Sequence, residues 1–197
     1  MSKQWVLVLA VIGGLVVGGA ALVRYGPEVD PVAVGRKAPD YRVLDLGTGD
    51  SLSLREHYRG HVTLVNIWAT WCIPCKVEMP AMQRLYDSLA PRGFRIAAVS
   101  IDQDDPEGVR SFARELGLTF DILHDRTGAI QQAYLTTGVP ESFLLDTTGT
   151  IMKRVIGAHD WASGVNRALI RRLLGDTTAA IGTAVDGPPA DTLPAAR

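Results

Sequence analysis

The sequence predicts an α/β protein behind one apolar helix, on three observations. From residue 38 to residue 175, strand-like and helix-like stretches alternate and end in a hairpin and a helix, the pattern of an α/β layer architecture. In their midst Val62-Thr63-Leu64-Val65-Asn66-Ile67-Trp68 is a nearly unbroken apolar run, as a buried strand requires. Ahead of them, Trp5 to Val23 carries no charge. At 1.5 Å per residue that run is about 28 Å long as a helix, close to the thickness of a bilayer core.

The elements follow in order. Arg42 to Leu46, a Gly47-Thr48-Gly49-Asp50 turn and Ser51 to Leu54 predict an N-terminal β-hairpin. The strand 62–68 leads into a helix from about Pro74 to Leu89, with Pro74 early, where its missing N–H costs nothing. Pro80 is expected to kink that helix by removing a backbone donor. Phe94 to Ile101 reads as a second parallel strand. Pro106 to Leu116 reads as a helix capped by Asp105 and ended by Gly117. Phe120 to Leu123 is a short strand and Gly128 to Tyr134 a short helix. Ser142 to Leu145 and Ile151 to Ile156 form a hairpin across Asp146-Thr147-Thr148-Gly149-Thr150. Trp161 to Leu174 is the last helix, opened by Asp160.

The 197 residues suffice for one full core with additional segments. The expected layout is a short N-terminus at 1–4, an anchor at 5–23, a linker at 24–37, the folded domain at 38–175 and a disordered tail at 176–197, rich in Ala, Thr, Gly and Pro. Net charge is −1, which gives no electrostatic case for nucleic acid as a partner. Lys3 and Arg24 flank the apolar run, but Glu28 and Asp30 follow, so charge asymmetry says little about orientation. Gly18, Gly19, Ala20 and Ala21 would also suit a signal peptidase; the length of the run favours an uncleaved anchor.

The chain has two cysteines, three positions apart in Trp71-Cys72-Ile73-Pro74-Cys75-Lys76. Two thiols so spaced can close a small disulfide ring and open it by exchange. Cys72 falls at a helix start, where free backbone N–H groups and the macrodipole stabilise a thiolate. Zinc requires four ligands, and the histidines (His57, His61, His124, His159) show no ligand spacing, so no metal is expected. Covalent c-type haem requires His directly after the second cysteine, where Lys76 stands. A purely structural disulfide is disfavoured because so short a loop removes little chain entropy.

Trp68-Ala69-Thr70-Trp71-Cys72-Ile73-Pro74-Cys75-Lys76-Val77-Glu78-Met79-Pro80 resembles the active-site segment of the TlpA, ResA and CcmG group of membrane-anchored, extracytoplasmic thiol–disulfide oxidoreductases. Thr137-Gly138-Val139-Pro140-Glu141-Ser142 is similar to that group's cis-proline loop. Ala38-Pro39-Asp40-Tyr41 with Leu52-Ser53-Leu54 is similar to its N-terminal strand pair. The resemblance spans about residues 36 to 173. It implies a thioredoxin-like fold with an N-terminal β-hairpin extension and a helix–strand insert at 102–125. It also implies Cys72 as nucleophile and Cys75 as buried resolving thiol, the redox-active disulfide being the only cofactor. Pro140 would be cis, leaving the Val139 backbone to pair with an extended substrate, with Trp71, Ile73 and Pro74 on the docking surface. Thioredoxin itself has a buried Asp where this chain has Asn66, and Asn cannot take a proton. That leaves Glu141 or Glu78 as candidate acid–base groups, against surface or rim positions for both.

The resemblance further implies clients with disulfides or Cys-x-x-Cys sites, such as apocytochrome c or the copper-site subunit of an oxidase. It implies a membrane electron donor of the DsbD/CcdA type, a single pass through the cytoplasmic membrane and a catalytic domain facing the periplasm or its equivalent. Two other readings compete. A thiol peroxidase shares the Ala-Pro-Asp start, but Ile67 stands where its peroxidatic loop would place Pro. A Cu(I) chaperone would use the same two thiolates, but no distant histidine clearly completes such a site.

Overall fold

The computed structural model describes residues 3–25 and 32–175, so the predicted tail at 176–197 and residues 26–31 of the predicted linker lie outside the described residues. The chain divides into two units, residues 1–31 and 32–197. In the first, Lys3–Tyr25 is a helix (α1), and its stretch Lys3–Ala21 is long and apolar enough to cross a membrane.

In the second unit, seven strands form one mixed sheet in the order β2-β1-β5-β4-β3-β6-β7. The elements are β1 (Arg42–Asp45), β2 (Ser51–Ser53), α2 (Leu54–His57), β3 (Val62–Trp68), α3 (Ile73–Leu89), β4 (Phe94–Ser100), α4 (Pro106–Glu115), β5 (Asp121–His124), α5 (Ile130–Ala133), β6 (Glu141–Leu145), β7 (Ile151–Ile156) and α6 (Gly164–Leu173). β3 is the central strand, parallel to β4 and antiparallel to β6, and every residue in it is buried. That is why its sequence is apolar without alternation. α3 sends Met79, Met82, Leu85 and Leu89 into the core.

Most expected elements form within a residue or two. The predicted insert is α4 with β5, and β5 joins β4 in parallel while β1 pairs with its other side. Asp105 caps α4 by accepting from the Glu107 N–H at 2.8 Å, and Gly117 beyond its end has φ 62°, a conformation only glycine adopts cheaply.

Three differences from the expected layout stand out. Residues 32–37, expected as linker, pack on the domain. Val32 is buried, its carbonyl accepts from Arg154, and Gly35 N–H bonds the Ile151 carbonyl along the β7 edge. The helix α2 was not predicted, although Ser53 and Glu56 have capping-box spacing and Ser53 Oγ accepts the Glu56 N–H. As expected, α3 is one helix from Ile73 to Leu89 with Pro80 inside it. The last helix starts at Gly164 rather than Trp161, because Trp161 is fully buried in the preceding turn and serves as a core residue.

Candidate active site

β3 ends at Trp68, and the chain turns through Ala69, Thr70 and Trp71 to Cys72, the N-cap of α3. The turn is closed by Cys72 N–H to the Ala69 carbonyl at 3.2 Å. Cys72 and Cys75 are joined as a disulfide, and the described residues contain no free cysteine. Cys72 Sγ accepts the Cys75 N–H at 3.2 Å, the backbone donor expected at a helix start. Cys75 is fully buried. Cys72, expected to be the more exposed of the two, is 4% exposed in this oxidised state, with its sulfur bonded to its partner. Around it Trp71, Ile73 and Val77 are 67, 77 and 71% exposed, an apolar rim at the opening. Trp71 and Ile73 were expected there; Val77 was missed, although its position one turn after Ile73 puts both on one helix face. Pro74 is also exposed. The Val139–Pro140 peptide is cis, as the resemblance implied.

Glu78 lies one turn beyond Cys75 on α3 and is 3% exposed. Asn66 Nδ2 donates to Glu78 Oε1 at 2.8 Å and to Ser142 Oγ at 2.9 Å; the His159 N–H donates to Glu78 Oε2 at 3.1 Å. No ion pair reaches Glu78 among the described residues. Burial raises its pKa from the ordinary 4.5 to about 7, against the lowering effect of Asn66 and His159. Hence the carboxyl changes charge near neutrality beneath the cysteine pair. Glu78 was expected as either an acid–base group or a surface charge, and the structure excludes the surface position. Asn66 could not be read as its partner from sequence, because the pairing joins β3, α3 and β6.

Glu141 departs from its expected surroundings. It is fully buried rather than on a solvated rim, its carboxylate ion-paired with Arg154 and accepting the Thr137 N–H. Successive strand residues face opposite sides, and Ser142 shares Asn66's face. Glu141 therefore points to the other face, where its charge is taken up by Arg154. Replacing Arg154 with Ala should leave that carboxylate buried and unpaired and cost about 3–5 kcal/mol. Urea unfolding near pH 7 checks this; a loss below about 1 kcal/mol would mean that the pair is solvated.

His159, whose N–H holds Glu78, was not singled out as a site residue. Its Nε2 accepts from Lys153 Nζ at 3.2 Å and Asn166 Nδ2 at 2.9 Å, and Lys153 also donates to Asn166 Oδ1 at 2.7 Å. These bonds tie the turn before α6 to β7. Among the described residues no group of His, Cys, Asp or Glu is arranged to hold a metal ion.

A redox-capable cysteine pair at a helix N-terminus, with a cis-proline loop entering the strand that pairs with the same end of β3 in a mixed sheet, defines a thioredoxin-like thiol–disulfide protein. The AhpC/TSA family profile matches residues 34–154. The thiol–disulfide oxidoreductase ResA of Geobacillus thermodenitrificans is 36% identical over 80% of this chain and 91% of its own length; ResA of Bacillus cereus is 32% identical over 77 and 86%. Among solved structures, a thiol:disulfide interchange protein of the thioredoxin family from Chlorobium tepidum has TM-score 0.61 at 25% identity, covering 73% of this chain and 99% of its own. The thioredoxin domain of a thiol–disulfide oxidoreductase from Bacteroides vulgatus has TM-score 0.61 at 26% identity, covering 68 and 96%. The chain belongs to the AhpC/TSA family, and within it is a thiol–disulfide oxidoreductase with ResA homologues.

Proposed function

We propose that the protein works as a reductant of client disulfides outside the cytoplasmic membrane, held there by α1, with Cys72 as attacking thiol and Cys75 as resolving thiol. Cys72 thiolate attacks a client sulfur, forming a mixed disulfide and expelling a client thiolate. Cys75 gives up its proton and attacks Cys72 Sγ, closing the Cys72–Cys75 disulfide and releasing the second client thiolate. Two electrons pass to the client, and the oxidised pair is the product state of that step. Glu78 takes the Cys75 proton, since it is buried one turn away with a pKa near neutrality. The exposed rim of Trp71, Ile73 and Val77 receives the client, and the Val139 backbone pairs with its extended chain.

The observation that carries the reductive direction is the set of groups around the pair. A strong oxidant owes its potential to a stabilised reduced form. Here the ionisable side chain buried one turn beyond Cys75 is a carboxyl, Glu78, and the exposed side chains Trp71, Ile73 and Val77 around the pair are apolar. Glu78 opposes a thiolate at Cys75 and so favours the disulfide, leaving the dithiol a good electron donor. Apocytochrome c Cys-x-x-Cys-His sites and oxidase copper-site cysteines are the clients this reading favours, as the resemblance of residues 68–80 and 137–142 implies. A membrane donor of the DsbD/CcdA type then restores the dithiol, because an extracytoplasmic compartment is oxidising. The test mixes reduced full-length protein in detergent with an oxidised Cys-x-x-Cys-His peptide. Transfer of the disulfide to Cys72–Cys75 supports the reading, and transfer only from the oxidised protein to the reduced peptide overturns it.

A further inference from the structure

We propose that Asp102 is a positioning residue for the attacking cysteine: by anchoring Thr70, its carboxylate keeps Cys72 Sγ over the Cys75 N–H when the disulfide is open. Asp102 follows the end of β4, where the Ile101 N–H still bonds the Trp68 carbonyl at 2.9 Å. It is 6% exposed, and no ion pair reaches it among the described residues. Its carboxylate accepts instead from neutral donors. Thr70 Oγ1 donates to Oδ1 at 2.6 Å, the Thr70 N–H to Oδ2 at 2.9 Å, and Ser100 Oγ to Oδ2 at 2.6 Å. The Asp102 N–H returns a bond to Ser100 Oγ at 3.1 Å, and buried His124 donates from Nε2 to the Asp102 carbonyl at 2.7 Å. The carboxylate therefore sits in a fixed frame and grips Thr70 at two atoms.

A buried charge without a counter-ion costs stability, and a neutral acceptor would cost less. What the charge provides is strength, since hydrogen bonds to an ionised acceptor are roughly twice as strong as neutral ones. That strength falls on Thr70, two residues before Cys72. In the disulfide state, Cys72 Sγ is held in place by its covalent bond to Cys75. Once that bond opens, the sulfur's place at the start of α3 is set by the Cys72 backbone, held on one side by the turn Ala69–Cys72 and on the other by the Lys76 N–H bond to the Cys72 carbonyl at 3.2 Å. Thiolate stabilisation by the Cys75 N–H and the helix dipole then depends on the Thr70 anchor. The field of Asp102 acts oppositely, because a nearby negative charge disfavours a thiolate. Positioning and field thus predict opposite signs.

The experiment follows iodoacetamide alkylation of Cys72 against pH in reduced full-length protein in detergent, with the modified peptide identified by mass spectrometry. Thr70→Val removes one grip and keeps the charge; Asp102→Asn weakens both grips and removes the charge. Positioning predicts that each variant alkylates Cys72 about threefold more slowly at neutral pH, with its pH profile displaced upward. It also predicts that Thr70→Ser, which keeps the hydroxyl, behaves as the natural chain. An unchanged profile in Thr70→Val, or faster alkylation in Asp102→Asn, overturns the proposal. The inference rests on Cys72 being the attacking thiol, but that reading fails by a different result, namely exchange activity surviving in Cys72→Ser.

Discussion

Cys72→Ser should abolish disulfide exchange, whereas Cys75→Ser should stop turnover and leave Cys72 joined to its client. The asymmetry comes from position. Cys72 is the N-cap of α3 behind an exposed apolar rim, whereas Cys75 has no exposed surface and can reach only Cys72. In Cys72→Ser the hydroxyl supplies no thiolate to attack a disulfide, and Cys75 cannot be approached by a protein disulfide, so the rate should fall to background. In Cys75→Ser the first attack proceeds, but nothing inside the protein displaces the client. A mixed disulfide should then accumulate to nearly one per chain on non-reducing gels, and dithiothreitol should release it. Equal accumulation in both variants would assign the attack to either sulfur and refute the order.

Glu78→Gln should slow the resolving step by about a hundredfold above pH 7 and remove its pH dependence near neutrality. The sign follows from the raised pKa. Below about 7 the Glu78 carboxyl holds its own proton and cannot accept another, and above it the carboxylate can. Resolution of a preformed mixed disulfide at Cys72 should therefore accelerate as pH rises through 7 in the natural chain. Gln is uncharged throughout, so that inflexion should vanish while the later rise from thiol ionisation remains. Gln also keeps an oxygen for Asn66 Nδ2, which limits the change in packing. Single-turnover mixing over pH 5 to 9 reads both effects; an unchanged rate and profile would place the proton acceptor elsewhere.

Much of this site is legible in the sequence because its central residues are close in the chain. Cys72, Pro74, Cys75 and Glu78 fall within two helical turns, so spacing alone places them on one element. The buried strand β3 announced itself by an apolar run, and α4 by its Asp105 cap and Gly117 stop. What escaped was long-range. Asn66 meets Glu78 and Ser142 across three elements, and the Asp102 grip on Thr70 joins residues 32 positions apart. Neither pairing leaves a periodicity or a spacing. Glu141 shows the limit from the other side. Its place beside Pro140 suggested the cysteines, but strand alternation turns it to the opposite face, toward Arg154 on β7. Local sequence fixes which residues share an element. Sheet order then decides which buried charges meet.

The reductive role is tested most directly by the redox potential of Cys72–Cys75 in the full-length protein, equilibrated in detergent against dithiothreitol or glutathione. With a carboxyl and apolar side chains around the pair, the expected value is near or below the ~−270 mV of thioredoxin. A value near the ~−120 mV of DsbA would mean that the reduced form is strongly stabilised, and would make the protein a donor of disulfides rather than a reductant.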